Sequence, residues 1–161
     1  MHRVVSVSQA KITDPDGRFL VQLASFREDT VQVRVQLLDV QPSFGESIID
    51  ALVQLVDDHF PLMECTFDER RLDRRVTDGS PVATLTLRKL LVVDLQGCAS
   101  QLGREVDTKE PSIGKVSVVT GSSDGKSMVY KWCDEEDFAF LTTHAVVPIV
   151  ENAVRSAIVL I

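Results

Sequence analysis

The apolar period of this chain changes at Ser43, and that change limits the folds open to it. Before Ser43 the residues alternate. Val31, Val33, Val35 and Leu37 fall on one side of an extended segment, and Gln32, Arg34 and Gln36 fall on the other. That is the pattern of a strand with one covered and one wet face. After Ser43, Ile48, Ile49, Leu52, Val53, Leu55 and Val56 follow the 3.6-residue period of an amphipathic helix. The switch recurs near Pro148, where Val150, Ala153, Val154, Ala157, Ile158 and Ile161 form a second helical stripe. A chain that passes twice from strands to a helix suits the α+β class. We expect a mostly antiparallel sheet of about six to eight strands with two main helices packed on one face.

The remaining segments fill in this frame. Residues 3–12 and 18–26 are rich in β-branched residues and read as strands, with Asp14, Pro15 and Gly17 between them as turn residues. Ser43 and Glu46 have the spacing of a capping box, so the first helix is expected to start at Ser43 and to stop before Pro61. Residues 90–95, LLVVDL, are almost wholly apolar, as in a central strand covered on both faces. Residues 96–114 show no period and are the longest loop expected. Asp134 is expected to cap a helix whose first turn carries the acids of CDEEDF.

The length of 161 residues suits one globular domain, residues 1–161. No apolar run reaches the roughly 18–20 residues that cross a bilayer. The first residues, MHRVVSVSQAK, have no apolar stretch of leader length. The expected location is the cytoplasm, with no membrane contact. The net charge of −7 weighs against nucleic acid or an anionic membrane as a partner, because attraction to phosphate dominates such binding. Three scattered cysteines, Cys65, Cys98 and Cys133, cannot make a disulfide framework and read as reduced thiols.

One stretch, TGSSDGKS at residues 120–127, invites comparison with a phosphate-binding loop. Such a loop needs four residues between its glycines and a helix after its Lys-Ser. Here three residues separate Gly121 from Gly125, and SMVYKWC after Lys126 is β-like. Asp124-Gly125 between two alternating segments is instead a hairpin turn.

Other polar clusters have equally plain readings. Arg70, Arg71, Arg74 and Arg75 could bind an anionic partner, but Asp68, Glu69 and Asp73 are interleaved with them. His59 follows two aspartates, yet an imidazole at a helix end also complements the dipole. Cys98 lies between Gly97 and Ala99 after the most apolar strand, with no cation near it in sequence to lower its pKa. No catalytic residue is assigned; Cys98 and His59 are the nearest candidates. No zinc spacing and no calcium-loop pattern occur, and no metal or cofactor is expected.

The leading expectation is therefore a non-enzymatic subunit that works through protein–protein contact and self-associates as a homo-oligomer. Its contact residues would be the four arginines and the apolar C-terminal residues Ile158, Leu160 and Ile161, which need a surface to cover them. A second expectation is a small-ligand regulatory module. The order strands–helix, strands–helix resembles, in element order alone, the doubled strand–strand–helix regulatory domains at the end of isopropylmalate synthase. The glycine pattern of that family is absent. A third is a small cysteine-dependent enzyme built on Cys98.

Overall fold

Ser47, four residues after the expected cap, starts the first helix. In the computed structural model, which describes residues 2–59, 65–77, 83–95, 102–120 and 125–159, helix α1 runs over Ile48–His59. For residues 2–6, 65–77 and 83–89 the backbone alone is described. The Ser47 hydroxyl accepts from the Asp50 amide at 3.1 Å, satisfying one of the free donors of the first turn. Half of the expected Ser43 box does form, since the Ser43 amide donates to the Glu46 carboxylate at 3.1 Å. Gly45 lies at φ +82°, outside helical geometry, so the helix cannot include it.

The chain divides into two compact units, residues 1–15 with 38–97 and residues 16–37 with 98–161. The first unit holds β1 (His2–Thr13), β4 (Leu38–Asp39), α1, β5 (Cys65–Thr77) and β6 (Ala83–Leu95). β1 pairs in parallel with β6 along its whole length, from His2 opposite Ala83 to Thr13 opposite Asp94. β5 lies antiparallel on the other side of β6, with Arg70 as a bulge between Glu69 and Arg71. β4 pairs with Gln9 and Ala10 of β1. β6 is thus a central strand of its sheet, and the consecutive burial of Leu91, Val92 and Val93 gives it two covered faces.

The second unit holds β2 (Phe19–Arg27), β3 (Thr30–Gln36), β7 (Arg104–Asp107), β8 (Lys115–Val119), β9 (Ser127–Cys133), α2 (Glu135–Leu141) and α3 (Val147–Val159). Its strands run in the order β3-β2-β9-β8-β7, all antiparallel. β3 keeps the alternation read from its sequence, with Val31, Val33 and Val35 half-buried and Gln32 and Arg34 exposed. α3 packs on β3 and β2. It buries Val150, Ala153, Val154 and Ala157. Asp134 caps α2: its carboxylate accepts from the Asp137 amide at 2.7 Å, and Asp137 returns a bond to the Asp134 amide at 3.2 Å. Phe138 of α2 meets Phe19 of β2 edge to face at 5.6 Å.

The class is α+β, and among the described pairings only β1–β6 is parallel. One expectation is corrected. The segment 96–114 is not structureless over its described part, because Arg104–Asp107 form β7 against β8. Thr108 then closes the connection, donating its hydroxyl to the Gly114 carbonyl at 2.6 Å. Residues 96–101 lie outside the described residues.

Candidate functional site

Helix α1 has an apolar stripe wider than the part the fold covers. Ala51, Leu52 and Val56 are buried, with Ile48, Leu55 and His59 half-buried around them. At 100° per residue, Ile49 and Val53 fall side by side on the flank next to Leu52 and Val56. Both are exposed, at 46 % and 37 %, and Phe44, in the turn before the helix, is fully exposed at 109 %. Each of the three leaves apolar surface in water, where covering it is worth about 25 cal/mol per Å². Exposed acids border the flank: Glu46, Asp50 and Asp57. Single exposed apolar residues are ordinary, but an adjacent pair such as Ile49 and Val53 with a polar rim is the form of an interaction surface.

Of the two catalytic candidates, His59 alone is among the described residues. His59 is the last residue of α1, and its Nδ1–H donates to the Leu55 carbonyl at 2.8 Å. That bond satisfies one of the free acceptors at the helix end. Cys98 lies outside the described residues. The cysteine whose environment is known is Cys133 in β9, fully buried. Its Sγ–H points to the Lys131 carbonyl at 3.7 Å. Burial pushes its thiol up to about 12, the opposite of what a nucleophile needs. Tyr130, two strand positions earlier than Trp132, is likewise pushed up to about 12 by burial.

Arg70, Arg71, Arg74 and Arg75 all lie on β5, whose described pairing is with β6 alone, so the run occupies the edge strand of the first unit's sheet. Of the C-terminal residues, Ile158 is half-buried on α3 and its neighbour Val159 is 83 % exposed. Leu160 and Ile161 lie outside the described residues. Among the described residues no group of three or more His, Cys, Asp or Glu is placed to hold a metal ion. Nor is any helix there long and apolar enough to cross a membrane.

The phosphate-loop question is answered by geometry. Ser127 begins β9, which is antiparallel to β8, so no helix N-terminus follows Lys126. Gly125 sits at φ +72°, as a turn glycine does. Residues 121–124 lie outside the described residues.

By sequence, Ile49 and Val53 were part of the helix's apolar stripe, with no distinction between covered and uncovered positions, and Phe44 was not singled out. The width of the stripe was the available signal. Six apolar positions within nine residues span more of the helix circumference than one packing face requires. No protein-family model matches the chain, and no curated protein matches it. Among solved structures, the solution structure of the E. coli ORF135 protein is similar at 17 % identity and a TM-score of 0.38, over 97 % of this chain and 94 % of that one, a likeness too loose to carry an argument.

Proposed function

We propose that this chain is a cytoplasmic, non-enzymatic assembly subunit that associates with further copies of itself. The observation that carries the reading is the uncovered flank of α1, Ile49 and Val53, with the fully exposed Phe44 in the turn before the helix. Charge supports a second copy as the partner. The flank has an acidic rim, and the same chain has four arginines in the sequence of the edge strand β5. An acid-rimmed apolar surface on one copy and an arginine-bearing edge on the next are complementary. Because the two surfaces differ, the contact is heterologous and gives a series of sizes or a ring, not only a dimer. The apolar end of α3, Ile158 and Val159 with Leu160 and Ile161, is a second contact in the same reading.

Sedimentation velocity over a hundredfold range of concentration tests this. The expected result is a mass that rises above that of the single chain, and that falls when salt is raised from 0.05 to 0.5 M, both chosen test conditions, as screening weakens the rim. A double Ile49→Lys, Val53→Lys variant should stay monomeric with an unchanged melting temperature, since both positions are exposed. Wild-type protein that remains monomeric throughout, or a double variant that still assembles, would refute the reading.

A further inference from the structure

β3 has one side bonded to β2 and one side bare. Its two-residue turn, Glu28 and Asp29, closes on the pair Arg27 and Thr30. The pair that closes so short a turn exchanges both main-chain bonds, and the pairs beyond it alternate between bonded and unbonded. Thr30 and Gln32 therefore aim their amides and carbonyls at Arg27 and Ser25, and Val31 and Val33 aim theirs away from β2. Among the described pairings β3 has no second strand, and no described main-chain bond outside the sheet reaches Val31 or Val33. The shift in register falls beyond Val33, so this stretch is regular. α3 rests on both β2 and β3 yet leaves Val31 and Val33 half-exposed. A bare edge of this kind is a template for another strand.

The residues along the edge fit a second copy of themselves. In an antiparallel pair centred on Gln32, Val31 of each copy lies opposite Val33 of the other. Those are the residues with outward amides and carbonyls, so both pairs bond fully. The valines then meet on the α3 side. On the other side Gln32 meets Gln32, and Thr30 meets Arg34. Charge adds a further match. Glu28 and Arg34 are both exposed, and among the described residues neither has an ion pair or a side-chain hydrogen bond. Glu28 lines the open depression beside the turn together with Thr30 and Gln32, which puts it on the polar side with Arg34. Opposite Thr30 of the other copy, Arg34 stands two positions from that copy's Glu28, a diagonal that long side chains span. Centring the pair on Val33 would instead bring the two Arg34 side chains to diagonal positions.

We propose that β3 pairs edge to edge with β3 of a second copy, antiparallel about a two-fold axis at Gln32, so that one sheet runs across two chains. The Glu28–Arg34 contact forms twice and fixes the register. A contact this short is weak, with a dissociation constant near ~1 mM. It leaves the mass expected in sedimentation at micromolar concentration unchanged. Copies already held together elsewhere meet it at millimolar effective concentration, where it adds a second contact.

NMR of the Ile49→Lys, Val53→Lys variant tests this, since the flank of α1 then takes no part and the outcome is separate from that of the assembly reading. Dilution of the 15N-labelled protein from about 2 to 0.1 mM should shift the Val31 and Val33 amides along a two-state curve. A sample mixed from two isotope labels should give cross-peaks between the Val31 amide of one copy and the Val33 amide of the other. Arg34→Glu and Glu28→Lys should each weaken pairing about tenfold, and the two together should restore it. Val33→Pro removes an outward amide, which an edge strand tolerates, and should abolish pairing with the fold intact. Should Val33→Pro lose its dispersed spectrum, the charge exchange alone decides. Edge amides that stay fixed on dilution, dilution shifts confined to other elements, or a charge exchange that fails to restore pairing overturn the proposal.

Discussion

Arg155 on α3 donates from Nη1 to the main-chain carbonyl of Asp29 at 3.3 Å, tying the last helix to the two-residue turn between β2 and β3. Glu151, one helical turn earlier, holds the same guanidinium through Nε at 3.3 Å and Nη2 at 3.0 Å. The ion pair is half-exposed, so its own contribution is small. The bond to the turn differs in kind, because it joins residues far apart in sequence. Arg155→Ala should lower unfolding free energy by about 0.5–1 kcal/mol, and Glu151→Gln by under about 0.5 kcal/mol. Urea denaturation of both variants checks the order. Equal losses would mean that the helix pair, not the bond to the turn, is what matters.

The turn that Arg155 holds contains a conformation that a glycine would adopt more readily. Glu28 has φ +52° and is the one non-glycine residue with positive φ among those described. Left-handed geometry costs an ordinary L-residue about 1–2 kcal/mol. A glycine avoids that cost but gives the unfolded chain more freedom. The net expectation for Glu28→Gly is a gain of about 0.5–1 kcal/mol, or a melting temperature about 1–4 °C higher for a chain of this size. Glu28→Val should lose stability, because a β-branched side chain tolerates this region worst. Differential scanning calorimetry separates the two directions.

The fold was legible wherever a segment was long and its period clean. β3 and α3 announced themselves because each covers one face against its own unit, so apolar and polar positions separate by 2 or 3.6. β7 did not. It has four residues, and Val106 alone is buried, so no alternation could show. β2 was visible as a strand but not in its register. Gln22 pairs with Tyr130 and Ala24 with Val129, which leaves Leu23 as an extra residue and shifts the facing of everything after it. The start of α1 was misread because the sequence offers two Ser-x-x-acid spacings, Ser43–Glu46 and Ser47–Asp50. The backbone at Gly45 chose between them.

The candidate surfaces were less legible, for a related reason. Sequence gives the direction of a side chain on its own element, not what lies opposite. Ile49 and Val53 could not be told from the covered positions of the stripe, because they are apolar and in phase with them. β3 was visible as a strand, but nothing in its own residues says that it lies at an edge. That follows only from β2, which takes β9 on one side and β3 on the other.

Gly103 marks a close approach of two backbones that local sequence could not have indicated. It sits at φ +55°, just before β7, and a Cβ there would stand 2.3 Å from the Val118 carbonyl oxygen and 2.9 Å from its carbon. Both are backbone atoms of β8, which cannot swing aside as a side-chain tip could. Gly103→Ala therefore combines an unfavourable φ with displacement of β7 from β8. The expected loss is about 2 kcal/mol or more. Amide exchange offers the sharper reading: protection at Val116 and Val118, which face β7, should fall before protection in β2. Uniform loss across the second unit would instead mean that β7 and β8 cannot open separately.

Cys133 makes the pH dependence of stability directional. Its thiol is pushed up from an ordinary 9.0 to about 12, first by burial, then by Asp137 and Asp134 against the opposing effect of Lys131. Tyr130 rises from 10.0 to about 12 by burial alone. For both groups the unfolded chain releases its proton first. Stability is then fully present below about pH 9, falls as the pH climbs through the unfolded values, and levels only above the folded ones near 12. The urea midpoint should hold steady from pH 7 to 8.5 and decline from there to 11. Cys133→Ala should flatten the lower part of that decline while costing some packing at every pH. The native thiol should also resist iodoacetamide at pH 8 and react once urea is added, read at the Cys133 peptide by mass spectrometry. Rapid labelling of the native protein there would show that the thiol is neither buried nor raised.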